Sequence, residues 1–153
     1  MSLFSWNKPK TFFSEQEQQQ IVAAIQQAEQ QTSGEVRVFV ESKCRFVDPV
    51  DRAKEIFFNL EMQKTEARNA TLVYLAVKHR QAAVYGDVGI HEKVGEQFWQ
   101  SVVRKMLQLF HEEKLAAGVC HGIISLGEAL QTHFPYNKDT DKNELPDEIV
   151  FGR

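Results

Sequence analysis

A chain of 153 residues with net charge −3, 25% charged and 42% hydrophobic residues has the make-up of one ordinary globular domain. Its Lys and Arg are scattered rather than gathered on one face, which argues against nucleic acid as a partner. The two cysteines, Cys44 and Cys120, fall in neither a Cys-x-x-Cys nor a zinc-ligand spacing.

The first expected element is a helix opened by Ser14, with Glu17 completing a capping box and Phe13 stapling back from N′. Ile21, Val22, Ile25 and Ala28 recur at helical spacing and mark its buried stripe. The Gln-rich remainder is a solvated face, and Gly34 reads as the stop. Glu35–Glu41 follows as a strand with Val36, Val38 and Val40 on one face. Asp48-Pro49 then opens a second helix, with Asp48 as N-cap and Pro49 at the first helical position. Val50, Ala53, Ile56, Phe57 and Leu60 form its stripe.

Residues 71–77 and 81–86 are two nearly all-apolar strands around the polar turn Lys78-His79-Arg80, and such strands require cover on both faces. Gly86-Asp87-Val88-Gly89 leads to a third helix with Val94, Phe98, Val102, Met106 and Phe110 in register, widened by Trp99 and Val103. The fourth helix runs from about Leu115 to His133, and its Gly122 and Gly127 are read as points of close approach to the sheet. Residues 12–135 therefore form the domain. Residues 136–153 are an acidic tail, either loose or laid over the domain as an arm.

The fold class expected is α/β: a three-layer α-β-α sandwich with a small mixed sheet (strands about 35–41, 71–77 and 81–86) covered by about four helices. A right-handed crossover makes strands one and two parallel, and strand three returns antiparallel. One sheet end then gathers Glu35, Arg68, Asn69 and Asp87, with His91 close behind. Two carboxylates suit a hard divalent cation, calcium or magnesium. Arg68 offers a forked donor for a phosphoryl oxygen, and Asn69 and His91 complete the candidate substrate-binding set. Each residue also has a plainer role: Asp87 as a cap, Glu35 as a strand-end charge, Arg68 as the partner of an acid. Gly86-x-x-Gly89 could cradle a phosphate, although turn geometry explains both glycines. Asp139-Thr-Asp141-Lys-Asn143 imitates the start of a calcium loop but lacks its glycine and its closing glutamate.

Thr-Ser-Gly-Glu-Val-Arg-Val at 32–38, Arg-Asn-Ala-Thr-Leu-Val-Tyr at 68–74, Tyr-Gly-Asp-Val-Gly-Ile at 85–90 and Phe-Trp at 98–99 resemble, in order, the motifs of the TPM domain family. Asn-Glu-Leu-Pro-Asp-Glu-Ile at 143–149 resembles the tail of its short bacterial members. The resemblance implies an α/β sandwich, a divalent-ion site in an acidic patch and, in a plant member, acid phosphatase activity. Of the acidic residues only Glu35 and Asp87 sit inside matching motifs. The functional expectation is a soluble, cytoplasmic TPM-domain protein with a divalent-cation-binding acidic patch, acting as a non-catalytic interaction module toward a protein partner whose identity the sequence does not give. The alternatives are a metal-dependent acid phosphatase acting on phosphate esters, and a homo-oligomer joined through Ile149–Phe151. The sequence shows no membrane span and nothing that reads as a signal peptide.

Overall fold

The computed structural model describes residues 12–137 and 148–152. Among them the chain runs α1 (Glu15–Glu29), β1 (Glu35–Glu41), α2 (Pro49–Asn59), β2 (Ala70–Ala76), β3 (Gln81–Gly86), α3 (Val88–Val94), α4 (Glu96–His111), α5 (Leu115–His133) and β4 (Ile149–Phe151). The calcium-loop imitation at 139–143 lies outside the described residues.

The sheet order is β3-β2-β1-β4. β1 and β2 are parallel, with Glu35 beside Ala70 and Glu41 beside Ala76. β3 is antiparallel to β2, with Thr71 beside Gly86. Strand alternation divides the core into two clusters. Val36, Val38, Val40, Val73, Leu75, Ala82 and Val84 meet the apolar stripes of α1, α4 and α5, whereas Phe39, Leu72, Tyr74 and Ala83 meet Ala53, Ile56 and Phe57 of α2. The result is the expected mixed α/β sandwich, with one helix on one face and three long ones on the other.

The predicted helix starts are built as their chemistry requires. Ser14 Oγ accepts from Glu17 N–H at 3.1 Å, and Glu17 returns the bond to Ser14 N–H at 2.9 Å. Asp48 Oδ1 accepts from Val50 N–H at 2.9 Å at the start of α2. Phe13 is buried, as a staple residue should be.

Three expectations change, and one left open between two alternatives is narrowed. The third helix is two, because Gly95 adopts φ +78°, a conformation that ends α3 and re-aims the chain into α4. Of the two alternatives for the tail, its last described residues take the arm: Ile149–Phe151 pair parallel with Val38–Val40, and Phe12 stacks on Phe151 at 6.3 Å. Gly34 does not stop α1, which ends at Glu29. It admits Leu130 instead, since a Cβ there would lie 2.6 Å from that side chain. The small residues of α5 face neighbouring helices rather than the sheet. A Cβ at Gly122 would meet Met106 of α4 at 2.8 Å, and one at Gly127 would meet Ala28 of α1 at 2.8 Å.

Candidate functional site

Three chain segments meet at the N-terminal end of β1 and β2. Ala70 sits beside Glu35, and its carbonyl accepts from Asp87 N–H at 3.0 Å. Glu35, Ala70 and Asp87 thus form one row across three strands. The two outer backbones are two strand spacings, roughly 10 Å, apart. Ala70, the smallest side chain available there after glycine, stands between them.

Asp87 is the centre of this rim. It is 2% exposed, caps α3, and its Oδ1 accepts from Val88 N–H at 2.8 Å. Arg68 grips it through two bonds: Nε donates to Oδ2 at 2.6 Å and Nη2 to Oδ1 at 2.8 Å. This is the planar fork for which arginine is suited. The same contact, foremost its hydrogen bonds, raises the Arg68 pKa further. Burial, then the nearby Asp87 charge, raises the Tyr85 pKa.

Arg68 reaches this position from a left-handed backbone, φ +52°. Its carbonyl accepts from Gly89 N–H at 2.8 Å. A Cβ at Gly89 would strike Ala67 O at 2.2 Å, so that glycine lets α3 seat on the loop. The Gly86-x-x-Gly89 cradle is thereby corrected. The Gly89 N–H is spent on Arg68, and Gly86 is the floor under Trp99, whose ring would lie 2.4 Å from an added Cβ.

The other expected site residues have structural partners. Glu35 is buried; its N–H donates to Asn69 O at 3.4 Å and its carbonyl accepts from Thr71 Oγ1 at 2.9 Å. Asn69 Nδ2 donates to Ser33 Oγ at 3.4 Å, which ties the loop before β2 to the loop before β1. His91, on α3, accepts from Trp99 Nε1 at 2.8 Å and stacks on its ring.

Calcium takes six to eight oxygen ligands, and magnesium demands near-octahedral geometry. The rim as built fits neither as a resident ion. Both Asp87 oxygens are engaged, and the group engaging them is itself a cation. Among the described residues no three His, Cys, Asp or Glu side chains gather so as to hold a metal.

A second buried carboxylate held by an arginine lies at the opposite end of β1. Glu41, 5% exposed, accepts from Arg52 Nε at 2.9 Å and Nη2 at 2.8 Å, and from the Tyr74 hydroxyl. Burial, reinforced by the bond to Glu41, raises the Tyr74 pKa far above its ordinary value. Beside it, Cys44 N–H donates to His79 Nδ1 at 3.0 Å. Asp48 and Asp51 belong to this end, away from Asp87. Sequence reasoning missed this cluster, although a tyrosine in an all-apolar strand signals that its hydroxyl needs a partner.

Also missed was a groove of about 540 Å³ along β3, floored by Ala82, Val84 and Gly86 and walled by Trp99, Val103 and Leu107. Its signal was the apolar stripe of α4, wider than burial against one sheet requires.

Among solved structures the chain is similar to the BA42 protein of the psychrophilic bacterium Bizionia argentinensis, at 38% identity and a TM-score of 0.84, covering 95% of this chain and 99% of that one. The N-terminal domain of the cg2496 protein from Corynebacterium glutamicum shares the fold at 18% identity and a TM-score of 0.60, over 80% of this chain and 76% of that one. No curated protein matches the sequence. No helix among the described residues is long and apolar enough to cross a membrane. Residues 7–129 match the TPM domain, and with this match over most of its length the chain belongs to the TPM domain family.

Proposed function

We propose that the chain is a non-catalytic interaction module that presents a rigid rim to a protein partner. The observation that carries this reading is the engagement of both Asp87 oxygens by a cation. The two oxygens take two guanidinium bonds and one backbone bond. A metal ion could approach these oxygens only against the positive charge of the guanidinium that holds them. This carboxylate instead caps a helix and fixes Arg68, and the half-exposed face of Arg68 is what the rim offers outward. Neither Cys44 nor Cys120 is paired, which suits a reducing compartment such as the cytoplasm.

The competing reading is that calcium or magnesium enters the patch at Glu35 and Asp87, as the family resemblance implies, and serves binding or the hydrolysis of a phosphate ester. Its requirement is explicit: the ion must displace Arg68 from Asp87. Isothermal titration with each ion, on wild type, Arg68→Ala and Asp87→Ala, separates the two readings. A silent titration of wild type supports the ion pair as the resident arrangement. Binding to wild type that vanishes in Asp87→Ala overturns it. Hydrolysis of a chromogenic phosphate ester, lost in Asp87→Ala, overturns the non-catalytic assignment.

A further inference from the structure

We infer that the outer edge of β3 is a docking site for an extended peptide, which adds to the sheet as a fifth strand antiparallel to β3. The inference concerns the groove and stands independently of whether the rim binds an ion.

The first argument is backbone accounting. β3 is a terminal strand in the order β3-β2-β1-β4. The pair Ala70 and Asp87 is hydrogen-bonded, and such pairs alternate along an antiparallel ladder. Gln81, Ala83 and Tyr85 therefore bond to β2, whereas Ala82, Val84 and Gly86 turn their N–H and C=O outward. Among the described residues no hydrogen bond reaches those outward groups. Exposed strand edges are ordinarily shielded by a charge, a proline or a covering element. β3, Gln-Ala-Ala-Val-Tyr-Gly, has no charge and no proline. Its only cover among the described residues is the pair of groove walls, which leave Ala82 5% and Val84 4% exposed, so an entering strand must part those walls.

The second argument is shape. The three residues with outward backbone groups are also the floor of the groove. Their side chains are small, and the walls come from α4 on one side and from Val50 and Tyr85 on the other. A strand lying in such a channel gains main-chain bonds to the edge and side-chain burial on both of its faces, the two ingredients of strand addition. A second copy would bring another recessed edge flanked by its own helices, and two concave edges cannot close on each other. A single extended segment can enter.

The third argument is charge. Glu96 and Arg104 line the α4 wall and are both exposed. Neither has an ion-pair partner among the described residues. They are eight residues apart on one helix, roughly 12 Å. In an extended peptide that distance is about four residues, so positions i and i+4 face the same wall. Trp99 lies over Gly86, so α4 starts near the end of β3 and Glu96 lies toward that end. The complementary antiparallel peptide carries a cation at i, an apolar residue at i+2 against Trp99 and Val103, and an anion at i+4. Apolar residues at i+1 and i+3 turn toward Val50 and Tyr85.

The test uses the full chain and a capped probe peptide, Thr-Lys-Val-Leu-Val-Glu-Thr, with a control in which Lys and Glu are exchanged. Amide shifts are followed in ¹⁵N-labelled protein. Saturable shifts at Ala82, Val84 and Gly86 are expected. The probe should bind about tenfold tighter than its control, the order expected from two surface pairs. The double substitution Glu96→Lys with Arg104→Glu should invert that preference without altering the fold. N-methylation along one edge of the probe should abolish binding, and along the other edge should leave it. Shifts confined to other residues, equal affinity for probe and control in both proteins, or protein dimerisation through β3 in place of probe binding each overturn the inference.

Discussion

At the residue scale, Asp87 combines two stabilising roles that substitution can separate. Its Oδ1 caps α3, and losing a cap costs about 1–2 kcal/mol. Its charge is buried against Arg68, so Asp87→Ala removes the cap and leaves a guanidinium that can swing into water. Arg68→Ala leaves the more awkward remainder, a buried carboxylate without its fork, and keeps the left-handed strain that Arg68 already carries. Asp87→Ala is expected to lower stability by about 1–2 kcal/mol, with Arg68→Gly less harmful than Arg68→Ala because glycine accepts the positive φ. Urea unfolding of the three variants checks the order.

His121, on α5, supplies a pH dependence of definite sign. Burial lowers its pKa, nearby Lys105 lowers it further, and Glu128 opposes both. The unfolded chain therefore binds the proton more readily. Stability falls as pH drops through the ordinary histidine value of about 6.5, and levels off below the depressed folded value. His121→Gln should flatten this slope relative to wild type between about pH 7 and 5, measured by urea midpoints. An unchanged slope would show that the proton is taken up elsewhere.

At the scale of elements, much was legible because the signals were local. The capping box at Ser14, the Asp48-Pro49 start and the apolar alternation of β1 depend on neighbouring residues alone. What the sequence hid was decided by distant partners. Gly95 lies inside an apolar periodicity that continues through it, and only its positive φ shows that two helices meet there. Arg68 and Asp87 were legible as neighbours from topology. That they pair with each other, rather than share an ion, depends on the left-handed turn at Arg68, which no spacing announces.

The glycines of α5 show the same limit and yield a further expectation. In an isolated helix either Gly→Ala change would stabilise by about 1 kcal/mol. In the folded chain Gly127 faces the Cβ of Ala28 at 2.8 Å and its Cα at 3.4 Å, neither of which can move without shifting α1. Gly122 faces Met106 Sδ at 2.8 Å, the end of a flexible side chain that can rotate away. Gly127→Ala should cost about 1–3 kcal/mol. Gly122→Ala should be close to neutral, since propensity and crowding oppose each other. Thermal unfolding of both variants decides, and equal losses would mean that Met106 is as immobile as the α1 backbone.

At the scale of the whole molecule, the two edges of the sheet are treated differently. One is closed by the chain itself: Ile149–Phe151 covers β1, Gly152 N–H donates to Val40 O at 2.7 Å, and Phe151 stacks on Phe12. The other, β3, has no strand beyond it among the described residues and is flanked only by the walls of the groove. Deleting residues 138–153 should therefore expose the edge of β1 without dismantling the sandwich, because α1 and α5 still cover one face of β1 and the Arg52 side chain still lies over Phe39 on the other. The expected outcome is a cooperative urea transition at a lower midpoint with little change in slope. Amide exchange should accelerate selectively at the β1 groups that lose β4, while β2 and β3 keep their protection. A strand whose loss left β1 exchange unchanged would be an ornament on the sheet. A chain that lost its cooperative transition would make β4 part of the folding core, and closure of that edge a condition for the fold rather than a cover over it.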